Sequence, residues 1–165
     1  MVNYEETIRQ FAEGDKDYEL WLLLTRARYA VYRARERELQ RYGLTPEQAQ
    51  VLAILHYSEE KVSPGSLARL VLLKPHTMSA LINRMEKKGL VKKINDLERK
   101  NMVRVTLTEK GKKAHEITSK RSPIHHVMSV LSEEESEQFH QTLNKILNKA
   151  GEELGLNRDP LPSSE

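Results

Sequence analysis

The sequence predicts a mainly α-helical chain with one small β-hairpin, and three observations carry that reading. Apolar residues recur at spacings of three and four over most of the 165 residues. Only around residues 90–107 does the period shorten to two. Helix-start pairs, Thr45-Pro46 and Ser63-Pro64, punctuate the region between. With 38% hydrophobic residues the chain can fill one sizeable core. It has no cysteine, which excludes disulfides, thiolate metal sites and a cysteine nucleophile. No apolar run approaches the roughly 18–20 residues of a membrane span, and the first residues lack the apolar core of a signal peptide. The expectation is a soluble, cytoplasmic protein with no membrane partner.

Residues 1–16 read as a polar lead-in. Residues 17–43 read as one long helix closed at Gly43, with Leu20, Leu24, Ala27, Val31 and Ala34 in its stripe. Trp21, Leu22, Leu23, Tyr29 and Tyr32 widen its apolar surface beyond one stripe, as expected of a helix that faces a second subunit or packs within a larger monomer core. Thr45-Pro46-Glu47-Gln48 has the form of a capping box, and the helix it starts carries Ala49, Val51, Leu52, Ile54 and Leu55. Ser63-Pro64 opens a short helix holding Leu67, Leu70 and Val71. After the connection Leu72-Leu73-Lys74, Pro75 opens a helix over 75–88 with Met78, Leu81, Ile82 and Met85 on one face and Gly89 at its end.

Leu90–Ile94 then reads as a strand, and Val103, Val105 and Leu107 alternate with polar neighbours as a second, around the polar loop 95–101. Thr108 caps a further helix that Ser122-Pro123 kinks or ends. Ser132-Glu133-Glu134-Glu135 forms a second capping box, before a stripe of Phe139, Leu143, Ile146, Leu147, Ala150 and Leu154 closed by Gly155. Residues 156–165 read as a polar tail. The organisation is thus a lobe at 44–108 between two helical segments, 17–43 and 109–155.

Charge gives the first indication of a partner. Net charge is only +3, but residues 61–121 hold sixteen Lys and Arg against five Asp and Glu. The remainder carries an excess of eight negative charges. A basic middle between acidic ends lowers the free energy of a nearby polyanion. Two short helices joined by a tight connection and followed by a hairpin form a winged helix-turn-helix pattern. In it the second helix buries one face and lays the other in the major groove of double-stranded DNA. With Met78, Leu81, Ile82 and Met85 inward, His76, Thr77, Ala80, Asn83, Arg84 and Lys87 lie outward and Ser79 flanks them. Arg84 suits a paired bond to guanine N7 and O6, Asn83 the same to adenine, Thr77 or Ala80 a thymine methyl, and Lys87 a phosphate.

The sequence from about Leu20 to Leu154 resembles the MarR family of transcription regulators. The resemblance rests on Leu44-Thr45-Pro46-Glu47-Gln48, on Leu67-Ala68-Arg69-Leu70, on the run from Thr77 to Val91, and on Arg104–Gly111. It implies an obligate homodimer with interlocked first and last helices, whose two recognition helices read a pseudo-palindromic operator. One departure concerns the wing. The family commonly places an Asp and an Arg seven to nine positions before the Thr of Leu-Thr-Glu-Lys-Gly; here Arg99 and Asn101 stand there. Arg99 and Lys100 remain as cations for the minor groove or its phosphates. The resemblance also implies an effector cleft between the dimerisation helices and the lobe, for which Trp21, Arg28, Tyr29, Tyr32, His56 and Tyr57 are candidate lining residues.

The expected function is a transcription regulator, more simply a repressor that occludes its operator, with a small-molecule effector as one way of releasing it. The alternatives are a metal-responsive regulator of the same fold, for which only His125-His126 speaks, and a winged-helix module for RNA or protein. No phosphate-binding Gly-rich loop, His-Glu-x-x-His or Gly-x-Ser-x-Gly motif is present, so no enzyme, cofactor or bound metal is expected.

Overall fold

The computed structural model describes residues 4–58, 62–95 and 103–155, without the side chains of residues 4 and 5. The elements are α1 (Tyr4–Ala12), α2 (Lys16–Gln40), α3 (Pro46–Tyr57), α4 (Pro64–Leu70), α5 (Pro75–Lys87), β1 (Val91–Asn95), β2 (Val103–Leu107), α6 (Glu109–Thr118), α7 (Ser122–Met128) and α8 (Glu133–Glu153). The architecture is mainly helical with one antiparallel hairpin, as the periodicity requires. Two compact units divide the chain, Met1–Ile124 and His125–Glu165.

In the first unit the core lies where α3, α4, α5 and the hairpin meet. Its fully buried side chains are Leu39, Val51, Leu52, Leu67, Met78, Ile82, Met85, Val91 and Val105. Leu39, near the C-terminus of α2, is the one fully buried side chain that the long helix gives to this cluster. Further back along α2, Leu20, Trp21, Leu23 and Tyr29 stay exposed. The β1–β2 register pairs Val91 with Leu107, Lys93 with Val105 and Asn95 with Val103. Val62 adds a single bridge to Val105, whose N–H donates to the Val62 carbonyl at 2.9 Å.

Caps set the helix starts as the sequence indicates. The Thr45 and Ser132 capping boxes are complete, and Ser63 and Thr108 each accept the N–H three residues on. Three boundaries differ from expectation, each for a local reason. Residues 1–16 contain α1, which buries Ile8 and Ala12, one turn apart, and packs on α2. The first strand starts at Val91, because the Leu90 N–H is taken by the Met85 carbonyl in the closing turn of α5. Helix α6 ends at Thr118, before Ser122-Pro123, and that pair opens α7 instead of ending α6. A proline in a first turn forfeits no intrahelical bond.

The second unit is dominated by α8. Glu133, Glu134 and Glu135 occupy its first turn, where carboxylates suit the positive end of the helix dipole. Phe139, Ile146, Leu147 and Leu154 are exposed along it.

Candidate nucleic-acid interface

The turn between α4 and α5 positions the outward face of α5. Leu72 adopts φ 55°, a left-handed conformation that costs a non-glycine residue roughly 1–2 kcal/mol. It is held by two bonds that close α4: the Leu73 N–H to the Ala68 carbonyl at 2.9 Å, and the Leu72 N–H to the Arg69 carbonyl at 3.1 Å. The pattern normally places glycine at this position. Nothing in Leu72-Leu73-Lys74 announces such a turn, so its brevity was legible and its shape was not. Pro75 then starts α5 directly after it.

Helix α5 buries Met78, Leu81, Ile82 and Met85, as the i, i+3, i+4, i+7 spacing predicts. His76, Ser79, Ala80, Asn83, Arg84 and Lys87 are exposed on the other side, and Thr77 is half-buried between the two faces. The side chains of Arg84 and Lys87 make no hydrogen bond or ion pair among the described residues, so both cations remain available to an anion. Asn83 is engaged: its Oδ1 accepts from Lys93 Nζ on β1. Lys93 also clips the strand to the helix, its N–H donating to Glu86 Oε1 at 3.0 Å and its ammonium lying 3.1 Å from Glu86 Oε2. The Lys93 backbone bond, then its side chain, holds the Glu86 carboxyl below the usual range.

The C-terminal end of α5 is fixed by a knot of short contacts. Gly89 takes φ 70°, closing the helix with bonds from Gly89 N–H to the Glu86 carbonyl and Leu90 N–H to the Met85 carbonyl. Lys88 Nζ reaches the Gly43 carbonyl at 2.7 Å, and Lys110 Nζ reaches the Lys88 carbonyl at 2.7 Å. The Thr108 hydroxyl donates to the Gly89 carbonyl at 2.6 Å and accepts the Gly111 N–H at 3.0 Å. A Cβ on Gly111 would lie 2.0 Å from the Leu90 carbonyl oxygen. Lys88-Gly89-Leu90 and Thr108–Gly111, the most recognisable stretches of the sequence, thus hold the helix end against the hairpin. The charge reading needs a matching adjustment. Lys88, Lys93 and Lys110 brace the lobe from within, so not all sixteen bases of the middle segment face a partner. Arg99 and Lys100, the proposed wing-tip cations, lie outside the described residues.

The effector-lining candidates fall into separate groups. Trp21 stacks on Tyr18 with ring centroids 5.3 Å apart, and Tyr29 and Arg28 are exposed on the same helix. The Tyr32 hydroxyl donates to Glu47 Oε1 at 2.7 Å and so joins α2 to α3. Burial, then the bond to Glu47 and its charge, push the Tyr32 phenol up to about 12. Burial alone would raise Glu47, but the bonds from Tyr32, its own backbone and Thr45, with the Arg28 charge, hold it below its usual value. His56 and Tyr57 meet a residue that the sequence reading missed, His115 of α6. The two imidazoles stack 4.2 Å apart and Tyr57 sits edge-on to both. His115 is 3% exposed. Burial pushes its imidazole below the usual value, the His56 and Arg121 charges add to this, and Glu116 opposes it. The spacing of Gly111, His115 and Thr118, all buried on one face of α6, was the signal that could have found it.

A MarR family model matches residues 42–96, which span α3, α4, α5 and β1. The HTH-type transcriptional regulator SarZ of Staphylococcus haemolyticus is 34% identical over 73 residues, 44% of this chain and 49% of that protein. The match therefore spans about half the length of that curated relative. Among solved structures, the organohalide-sensing RdhR transcriptional regulator in its 2,4-dichlorophenol-bound form superposes with a TM-score of 0.78 at 30% identity, covering 90% of each chain. MepR of S. aureus, solved with DNA, gives 0.73 at 24% identity over 78% of this chain and 96% of its own. AbsC of Streptomyces coelicolor, a MarR family transcriptional regulator, gives 0.75 at 22% identity over 79% of this chain and 91% of its own. These last two share the winged-helix fold.

Proposed function

The chain belongs to the MarR family of DNA-binding transcription regulators, which are not enzymes, and from that premise we propose that it is a homodimeric repressor covering a pseudo-palindromic operator. The observation that carries this reading is the two-sided character of α5. Four buried apolar side chains fix the helix, and His76, Thr77, Ser79, Ala80, Asn83, Arg84 and Lys87 form the row offered to the major groove. In this reading Arg84 reads guanine, Asn83 reads adenine and Lys87 holds a phosphate, with Arg99 and Lys100 as wing-tip cations.

Dimerisation is supported by apolar surface that a lone chain leaves in water. Trp21 is 54% and Tyr29 60% exposed on α2, and Phe139, Ile146, Leu147 and Leu154 are exposed on α8. Burying such side chains against a second copy is favourable by about 25 cal/mol per Å² of apolar surface. Two lobes would then read half-sites about 34–36 Å apart. A chromosomal operator would fit the expected cytoplasmic location. The relative bound to 2,4-dichlorophenol supports a small aromatic effector, with candidate contacts in the separate groups of Trp21, Arg28 and Tyr29, of Tyr32, and of His56 and Tyr57.

The test is selection of bound fragments from sheared genomic DNA, followed by footprinting of the best fragment. Protection of two half-sites one helical turn apart is expected. Retention of fragments without a shared sequence, or protection of a single half-site, overturns the proposal.

A further inference from the structure

The geometry points to Lys93 as a positioning residue that decides which way round an A·T base pair is read by Asn83. The inference rests on the proposed reading of duplex DNA by α5, and it adds a second element, strand β1, to the determinants of sequence preference.

An asparagine side chain has an acceptor oxygen and a donor NH₂ of nearly equal size, and its terminal torsion is broad and two-fold. A free surface asparagine therefore presents either end to a ligand. At Asn83 that freedom is removed. Lys93 Nζ, an ammonium with donors and no acceptor, bonds Asn83 Oδ1 and can bond only the oxygen. The same ammonium is anchored 3.1 Å from Glu86 Oε2, one turn further along α5. Glu86 is in turn fixed by the Lys93 backbone N–H at 3.0 Å. The lysine is thus held at both ends, and the amide of Asn83 takes one polarity.

Polarity matters because of what base pairs present in the major groove. Adenine offers N7 as acceptor and N6–H as donor, and the amide fork matches it with NH₂ on N7 and oxygen on N6. Reversing the pair to T·A brings thymine O4, an acceptor, opposite the amide oxygen. A free amide relieves that repulsion by rotating its NH₂ onto O4. A locked amide cannot. The second lone pair of Oδ1 is left for adenine N6, so the bond from Lys93 does not consume the contact it orients. Discrimination between A·T and T·A at that position then depends on a residue that need not touch the base.

Lys93→Met tests this without dismantling the lobe, since the Lys93 backbone N–H that binds Glu86 is retained. Wild-type protein, Lys93→Met, Lys93→Arg and Asn83→Ala are each used to enrich a random duplex pool, and the motifs are compared position by position. Asn83→Ala identifies the position, by losing its preference there. Wild-type protein should favour adenine over thymine at that position by roughly tenfold, as one paired bond allows. Lys93→Met should bring that ratio below about twofold with the other positions unchanged, and Lys93→Arg, again a donor-only cation, should keep it. A Lys93→Met motif identical to wild type, or an affinity loss spread evenly over all positions as for a phosphate contact, overturns the inference. Failure of the wild-type protein to enrich any motif is a different result and removes the DNA reading itself.

Discussion

The Thr108 hydroxyl donates to the Gly89 carbonyl at 2.6 Å while accepting the Gly111 N–H at 3.0 Å. One side chain therefore both closes the C-terminal turn of α5 and caps the N-terminus of α6. Thr108→Ala removes both bonds at once. A lost N-cap costs about 1 kcal/mol, and the orphaned carbonyl adds to it. We expect urea denaturation to give a variant destabilised by roughly 1–3 kcal/mol. Unchanged stability would show that water replaces the hydroxyl at no cost.

Gly111 lies on the same seam. Its added methyl would stand 2.0 Å from the Leu90 carbonyl oxygen, and the obstacle is backbone, which has no rotamer to escape into. Gly111→Ala should destabilise by about 3 kcal/mol, at or beyond the usual range of overpacking, against the small gain that helix propensity alone would give. Thermal melts of Gly111→Ala and of Gly151→Ala, where a Cβ meets nothing within 4 Å, separate the two effects. Equal melting points would contradict the close approach.

The Arg84 side chain is exposed and makes no hydrogen bond or ion pair among the described residues, so its removal should be felt only when DNA is present. Arg84→Ala should weaken binding of a selected operator by more than tenfold, consistent with about 1–3 kcal/mol for a paired bond to guanine. Its melting temperature should stay within about a degree, as surface substitutions usually do. An operator affinity equal to wild type removes Arg84 from the interface.

The buried imidazole of His115 makes a prediction about acid. Its pKa is lowered in the folded protein, so the unfolded chain binds a proton first as pH falls. Stability is unaffected above the unfolded value of about 6.5. It declines as pH drops from there toward the lowered folded value. His115→Gln should flatten that decline between pH 7 and 5, read as denaturation midpoints at matched ionic strength. A decline of the same steepness in the variant would place its origin in other groups.

At high pH the sign reverses for Tyr32, whose pKa is raised to about 12. Its contribution is complete below the unfolded value of about 10 and disappears as pH rises through about 12. Tyr32→Phe should cost about 1 kcal/mol at neutral pH, the usual net worth of a hydrogen bond. It should also lose less than wild type on titration from pH 10 to 12. Identical alkaline behaviour would rule the Tyr32–Glu47 bond out as its source.

What could be read from the sequence was what is local along it. The buried quartet of α5, the boxes at Thr45 and Ser132, and the stop at Gly89 are encoded within a few residues of each other, and each was legible. The missed features join residues far apart or depend on a strained backbone. Lys93 and Asn83 are ten residues apart across a change from helix to strand, and His56 and His115 are 59 apart, so no period links them. Leu72 adopts a glycine-like angle without being glycine. The net local charge foretold the basic lobe but not that Lys88 and Lys110 would be spent on backbone carbonyls.

At the seam between Leu90 and Gly111, backbone lies against backbone with no room for a methyl group. Parts that fit this closely cannot slide past one another, so α5, the hairpin and the start of α6 are coupled into one body. In the proposed dimer of such bodies, the quantity left for the proposed effector to alter would be the span between two rigid jaws. The protein would then act as a caliper, set or unset against the pitch of the double helix.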